Sequence, residues 1–276
     1  MNDNRTRPPS DAGATDAPGP DPARVASIRN RIDALDETLH RALIERSGLI
    51  DEMIVAKGSR ASDGAVFRPG REAAMMRSLS ERHAGSLPFP IIEHLWRIII
   101  ASHTALQQPF TVFVDVSGDP LPSWDAARRL VGFAVPVEPC GSPDMVIDAM
   151  AEAGPSLGLV PLGNASEWWR RLGGSGPRVM ARLPIIEGSD DAPHFVLSPP
   201  LSDPVPFEVP VSRVTVAAET EPGDATVLTA TALPDGKEEW LVAGDPASVR
   251  GSLDTIGCGG YHHPIPSPSP GQGAIS

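Results

Sequence analysis

Between Pro22 and Lys57 the apolar residues Ile28, Ile32, Leu35, Leu39, Leu43, Ile50 and Met53 fall three or four positions apart over most of the stretch. That spacing predicts one helix with one apolar stripe, roughly 50 Å long at 1.5 Å per residue. Asp21-Pro22 supply a cap and a first-turn proline, and Gly58-Ser59 close the helix. A second helix is expected from Pro69 to about Ala84, with Met75, Met76 and Leu79 inward. A third runs from about Pro90 to Gln107 through Ile92, Leu95, Trp96, Ile99 and Ile100, and Pro109 stops it. Neither short helix is long enough to cover the long stripe. The expected solution is an intertwined homodimer in which two copies of the long helix pack on each other.

Charges interrupt the stripe. At about 100° per residue, Leu35, Leu39, Ile50 and Met53 lie within roughly 40° of Arg46, and Lys57 about 20° from it. Burying an unpaired cation costs several kcal/mol, so anionic groups are expected opposite both. Glu72 shares a face with Met76 and Leu79, and Gln107 lines up with Trp96, Ile100 and His103. These residues are either partners in a core salt-bridge network or the walls of a pocket for a small polar anion.

After Pro109 the periodicity changes. Strand-like runs at 110–114, 157–160 and 178–183 alternate with helical stretches at 123–131, 146–153 and 167–172, the pattern of an α/β domain with a mostly parallel sheet. Beyond Pro199 the strands read as short and interrupted, among them 214–217 and 239–242. The chain has 31 Pro and 26 Gly, concentrated where periodicity fails. Residues 1–23 are therefore expected to be a disordered arm and 262–276 a disordered tail, around a helical domain at 24–109 and an α/β domain at 110–261. The formal charge of −12 argues against nucleic acid or an anionic membrane as partner. Cys140 and Cys258 lack the neighbours of a metal site, so no metal is expected. With no apolar leader and no span long enough for a bilayer, a cytoplasmic protein is expected.

Three blocks of the helical region carry a resemblance: Arg29-Asn30-Arg31-Ile32-Asp33-Ala34-Leu35-Asp36, then Ile44-Glu45-Arg46, then Ala56-Lys57. With Arg71-Glu72-Ala73 and Gln107 they resemble the helical class of chorismate mutases, over residues 24 to 109. The resemblance implies a homodimer whose closed pocket holds chorismate and converts it to prephenate, with no cofactor. It implies that Arg46 grips one substrate carboxylate and that Arg29 reaches the other from the partner subunit. Lys57 and Gln107 would donate to the ether oxygen as the C–O bond breaks, and Glu72 would accept the ring hydroxyl. Catalysis would then be conformational restriction plus electrostatic stabilisation. Arg68 and His103 stand where some members have Asp and Ser, and are read as secondary substrate contacts.

Residues 156–166, Ser-Leu-Gly-Leu-Val-Pro-Leu-Gly-Asn-Ala-Ser, resemble the strand and Pro-x-x-Asn-Ser turn of prephenate dehydratases, which implies a periplasmic-binding-like α/β fold. The Gly-rich opening of that family is replaced by Ser117-Gly118-Asp119-Pro120. Its Thr-Arg-Phe signature is missing, the nearest string being Ser212-Arg213-Val214. The α/β domain is therefore expected to be degenerate. Two alternatives stay open: a bifunctional mutase–dehydratase, and a non-catalytic protein that binds an aromatic metabolite.

Overall fold

The computed structural model describes residues 21–56, 67–163, 166–201 and 205–267. The chain divides into two units, one ending at Leu49 and the other beginning at Ile50.

The long helix is α1 (Pro22–Ala56). Asp21 caps it as expected, its Oδ1 accepting from the N–H groups of Ala23 and Arg24 at 3.0 and 3.1 Å. None of its residues is buried. Leu35 and Leu39 are each 64% exposed, and Ile28, Ile32 and Leu43 are exposed beside them. The expected end of the helix at Gly58-Ser59 lies outside the described residues.

In the second unit, α2 (Pro69–Arg82) and α3 (Phe89–Gln107) are followed by β1 (Thr111–Asp115), α4 (Pro120–Val131), β2 (Val137–Cys140), α5 (Pro143–Ala153) and β3 (Ser156–Pro161). Then come β4 (Arg178–Leu183), β5 (His194–Ser198), β6 (Val209–Ala217), β7 (Thr226–Ala232), β8 (Lys237–Ala243) and β9 (Ser252–Tyr261). They form one sheet in the order β2-β1-β3-β5-β4-β9-β6-β8-β7. The period of two along β1 sends Val112 and Val114 to one face, with Ala127 and Val131 of α4. Phe113 points to the other, with Val146, Ile147 and Met150 of α5.

The sheet is not mostly parallel. Only β1–β2, β1–β3 and β4–β9 pair in parallel, and the other neighbours are antiparallel. Parallel pairing needs a long crossover. After β3 the helical crossovers end, the helix expected at 167–172 being a single 3-10 turn at Trp168–Arg171, and the parallel β4–β9 pair is connected through β5 to β8 instead. Nor are the strands beyond Pro199 short: β6 and β9 have nine and ten residues. The glycines of β9 and the alternating polar residues of both masked the strand signal.

Residues 262–267, expected as the start of a disordered tail, are anchored through Ile265. Ile265 is 2% exposed and lies in a core with Met76, Leu79 and Phe89, against which Ile185 and Ile186 also pack. Its N–H donates to the Ile185 carbonyl at 2.7 Å, and its carbonyl accepts from Glu187 at 3.0 Å. Ser80 of α2 donates to the Pro266 carbonyl at 3.0 Å. Glu208 accepts from Arg77 of α2 at 2.5 Å and from the His263 N–H at 2.8 Å. At the other end of α2 a Cβ on Gly70 would stand 2.4 Å from Val205, so only glycine allows that approach. The apolar core shared by α2 and α3 is thus closed by residues from the α/β part of the chain. Among the described residues no helix is long and apolar enough to cross a membrane.

Candidate functional site

Arg29 and Arg46 both lie on α1, Arg29 exposed and Arg46 half-buried. Seventeen residues of helix set them roughly 25 Å apart along the axis, too far for both to hold one small dianion from the same helix. Lys57 falls outside the described residues. Arg68 precedes the first residue of α2 and is half-buried.

Glu72 stands in the first turn of α2, and its inward placement has a partner that sequence reasoning missed. Arg97 of α3 donates from Nη1 to Glu72 Oε2 at 2.9 Å and from Nε to Glu93 Oε1 at 2.8 Å. Arg97 is 7% exposed and Glu93 5%. The face of α3 expected to carry Leu95 inward instead buries Phe89, Glu93, Arg97 and Ala101, while Leu95 is exposed. The 93/97 spacing of opposite charges was a legible signal. It reads as a solvated pair unless the helix face is known.

His103 is buried, with Nδ1 2.6 Å from the Ile99 carbonyl. The Gln107 amide, expected to serve a substrate oxygen, donates to the His103 carbonyl at 3.3 Å. Glu72, Arg97 and Thr104 line a cavity of about 70 Å³ together with Met180, Ile185 and Ile265. A ligand pocket for a molecule of chorismate's size is several times larger, so this cavity alone does not hold one.

In the α/β part, the order β2-β1-β3 makes the carboxyl ends of β1 and β3 a topological switch point, where such folds bind ligands. Asp115 ends β1, buried, and accepts from the Ser117 N–H at 2.9 Å. Behind it Ser123 of α4 and His194 of β5, both buried, meet at 3.0 Å through Nε2. The other ring nitrogen of His194 lies 2.8 Å from the Ala192 carbonyl, and burial pushes its pKa below the usual histidine value. Asn164 and Ala165 of the dehydratase-like turn lie outside the described residues. Arg213, in the string nearest to Thr-Arg-Phe, is held by Glu239 at 2.6 Å and the Leu172 carbonyl at 3.0 Å. Glu239 also binds Arg170 at 2.7 Å, so this cluster ties β6 and β8 to the Trp168–Arg171 turn.

Comparison with known proteins places these observations. Residues 28–108 match the family model for chorismate mutase type II. The bifunctional chorismate mutase/prephenate dehydratase of Stutzerimonas stutzeri is 29% identical over 147 residues, 52% of this chain and 40% of that protein. The protein of the same name from Pseudomonas aeruginosa is 29% identical over 151 residues, 53% of this chain and 41% of its own. That of Neisseria gonorrhoeae is 33% identical over 84 residues, 30% of this chain and 22% of its own. The two longer matches exceed the 108 residues that end with the family match, so the likeness runs on into the α/β part. No solved structure matches. The chain spans about two fifths of the length of the first two relatives, and its N-terminal helical segment carries the chorismate mutase type II domain.

Proposed function

We propose that this protein is a chorismate mutase, converting chorismate to prephenate in a homodimer, with an α/β domain that has lost dehydratase catalysis. The observation that carries the reading is the type II match over residues 28–108, within which Arg29, Arg46, Lys57, Glu72 and Gln107 are all present. The exposed apolar stripe of α1 supports the dimer, since a second copy of the helix is a fitting cover. The wide separation of Arg29 and Arg46 supports a pocket to which each subunit lends one arginine.

In that pocket Arg29 and Arg46 clamp the two carboxylates bidentately, and Glu72 accepts the ring hydroxyl. Lys57 and Gln107 donate to the ether oxygen, where negative charge grows as the C–O bond breaks. Gln107 leaves its bond to the His103 carbonyl to do so. Arg68 and His103 support the rim.

The names of the relatives favour a second, bifunctional reading. Against it stand the engagement of Arg213 with Glu239 and Leu172 and the missing Thr-Arg-Phe, without whose threonine the dehydratase step has no evident acid. The test is loss of chorismate absorbance with purified protein and with Lys57→Ala, followed by product identification. Prephenate from the wild type alone supports the mutase. Phenylpyruvate without acid treatment would establish the second activity, and an inactive folded dimer would remove both.

A further inference from the structure

Arg97 bridges carboxylates on two helices, buried together with Glu93 while Glu72 is half-buried. Such a cluster is a poor source of stability, because desolvating Arg97 and Glu93 offsets much of the attraction and apolar residues of similar size serve a core better. Phe89 and Ala101, on the same buried face of α3, show what that face otherwise uses. The guanidinium fork is suited to this task, since two of its nitrogens donate in fixed directions. Nε is taken by Glu93 one turn earlier on the same helix, which holds the fork still, and Nη1 reaches across to Glu72.

We propose that Arg97 is a positioning residue for the mutase reaction, holding the Glu72 carboxylate charged and oriented toward the substrate hydroxyl, with Glu93 as its anchor. This rests on the mutase reading of Glu72 and adds to it a residue that contacts no substrate.

The experiment is a cycle of Arg97→Met, Glu72→Gln and the double variant, with kcat and KM for chorismate measured beside thermal stability. The hydroxyl contact exists in ground and transition state alike, so its loss raises KM and leaves kcat nearly unchanged. Arg97→Met is expected to raise KM about tenfold, the scale of a lost charge-assisted hydrogen bond. In the Glu72→Gln background it is expected to add less than about twofold, because residues acting through one another are not additive. If Arg97→Met does not fold, Arg97→Lys serves instead, with a smaller rise in KM and the same non-additivity. A wild-type KM in a folded Arg97 variant, a loss confined to kcat, or effects that multiply with those of Glu72→Gln each overturn the proposal. A wild type that does not turn over chorismate removes the mutase reading itself, and is told apart by that control.

Discussion

Replacing Ile265 by alanine removes three carbons from a side chain 2% exposed among Met76, Leu79 and Phe89. At about 0.8 kcal/mol per buried methylene, the lost transfer free energy is roughly 2.4 kcal/mol. The cavity left behind adds on the order of 1 kcal/mol, because the walls are helix faces that collapse only in part. The backbone bonds of Ile265 to Ile185 and Glu187 survive the change, so the expected loss is about 3 kcal/mol. For a chain of this size that lowers the melting temperature by roughly 6–12 °C. Urea and thermal denaturation followed by circular dichroism measure it, with Ser267→Ala, at an exposed position two residues on, as the control. The control is expected within about 0.5 kcal/mol of wild type. If Ile265→Ala also falls within that range, the segment contributes nothing to the α2–α3 core, and the account of how these helices are held is wrong.

Other perturbations have equally definite outcomes. Leu35→Asp and Leu39→Asp each set a charge on the exposed stripe of α1, and are expected to shift the protein from dimer to monomer in light scattering at micromolar concentration. Glu239→Ala strips Arg170 and Arg213 of their shared carboxylate and is expected to cost about 3 kcal/mol in urea denaturation, the lower end for breaking a buried pair because Arg170 is partly solvated. A loss under about 1 kcal/mol would show the cluster to be dispensable. The Arg77 guanidinium holds the Glu208 carboxyl down to about 2, against an ordinary 4.5. A depressed carboxyl stabilises the fold fully above its unfolded value, and that stability is lost as pH falls toward the folded one. The stability gap between wild type and Glu208→Gln is therefore expected to be constant above about pH 5 and to close from pH 4.5 to 2. A gap independent of pH over that range would mean that the charge on Glu208 contributes nothing.

What the residues disclosed, and what they hid, follows from the range of the interactions concerned. The starts of α1 and α2 and the end of α3 were legible because periodicity, Asp21, Pro22, Pro69 and Pro109 act within a few positions of where they stand. The family pattern was legible for the same reason, since Arg46, Glu72 and Gln107 sit on those helices and Lys57 stands at a fixed spacing from them in the sequence. The inward face of α3 was not. Its stripe can be drawn through Leu95 and Ile99 or through Phe89, Glu93 and Arg97, and the choice is made by Glu72 and by the sheet, both remote in sequence. Periodicity gives a charged pair no reason to be inside. Strand β9 escaped because pairing with the distant β4 and β6, rather than local composition, makes it a strand. Ile265 looked like part of a polar tail because Pro264 and Pro266 flank it, and only the distant helices give it a place.

The closing of the α2–α3 core by Ile265 has a consequence for the newborn chain. Synthesis proceeds from the N-terminus at roughly 5–20 residues per second, and Ile265 follows the end of α3 by more than 150 residues. For on the order of 10–30 s, therefore, Met76, Leu79 and Phe89 lack the cover of Ile265, and for about half of that time also that of Ile185 and Ile186. The helical segment cannot finish folding as it emerges. It must wait, apolar face open and in need of shielding, until the sheet and the segment beyond it have been made.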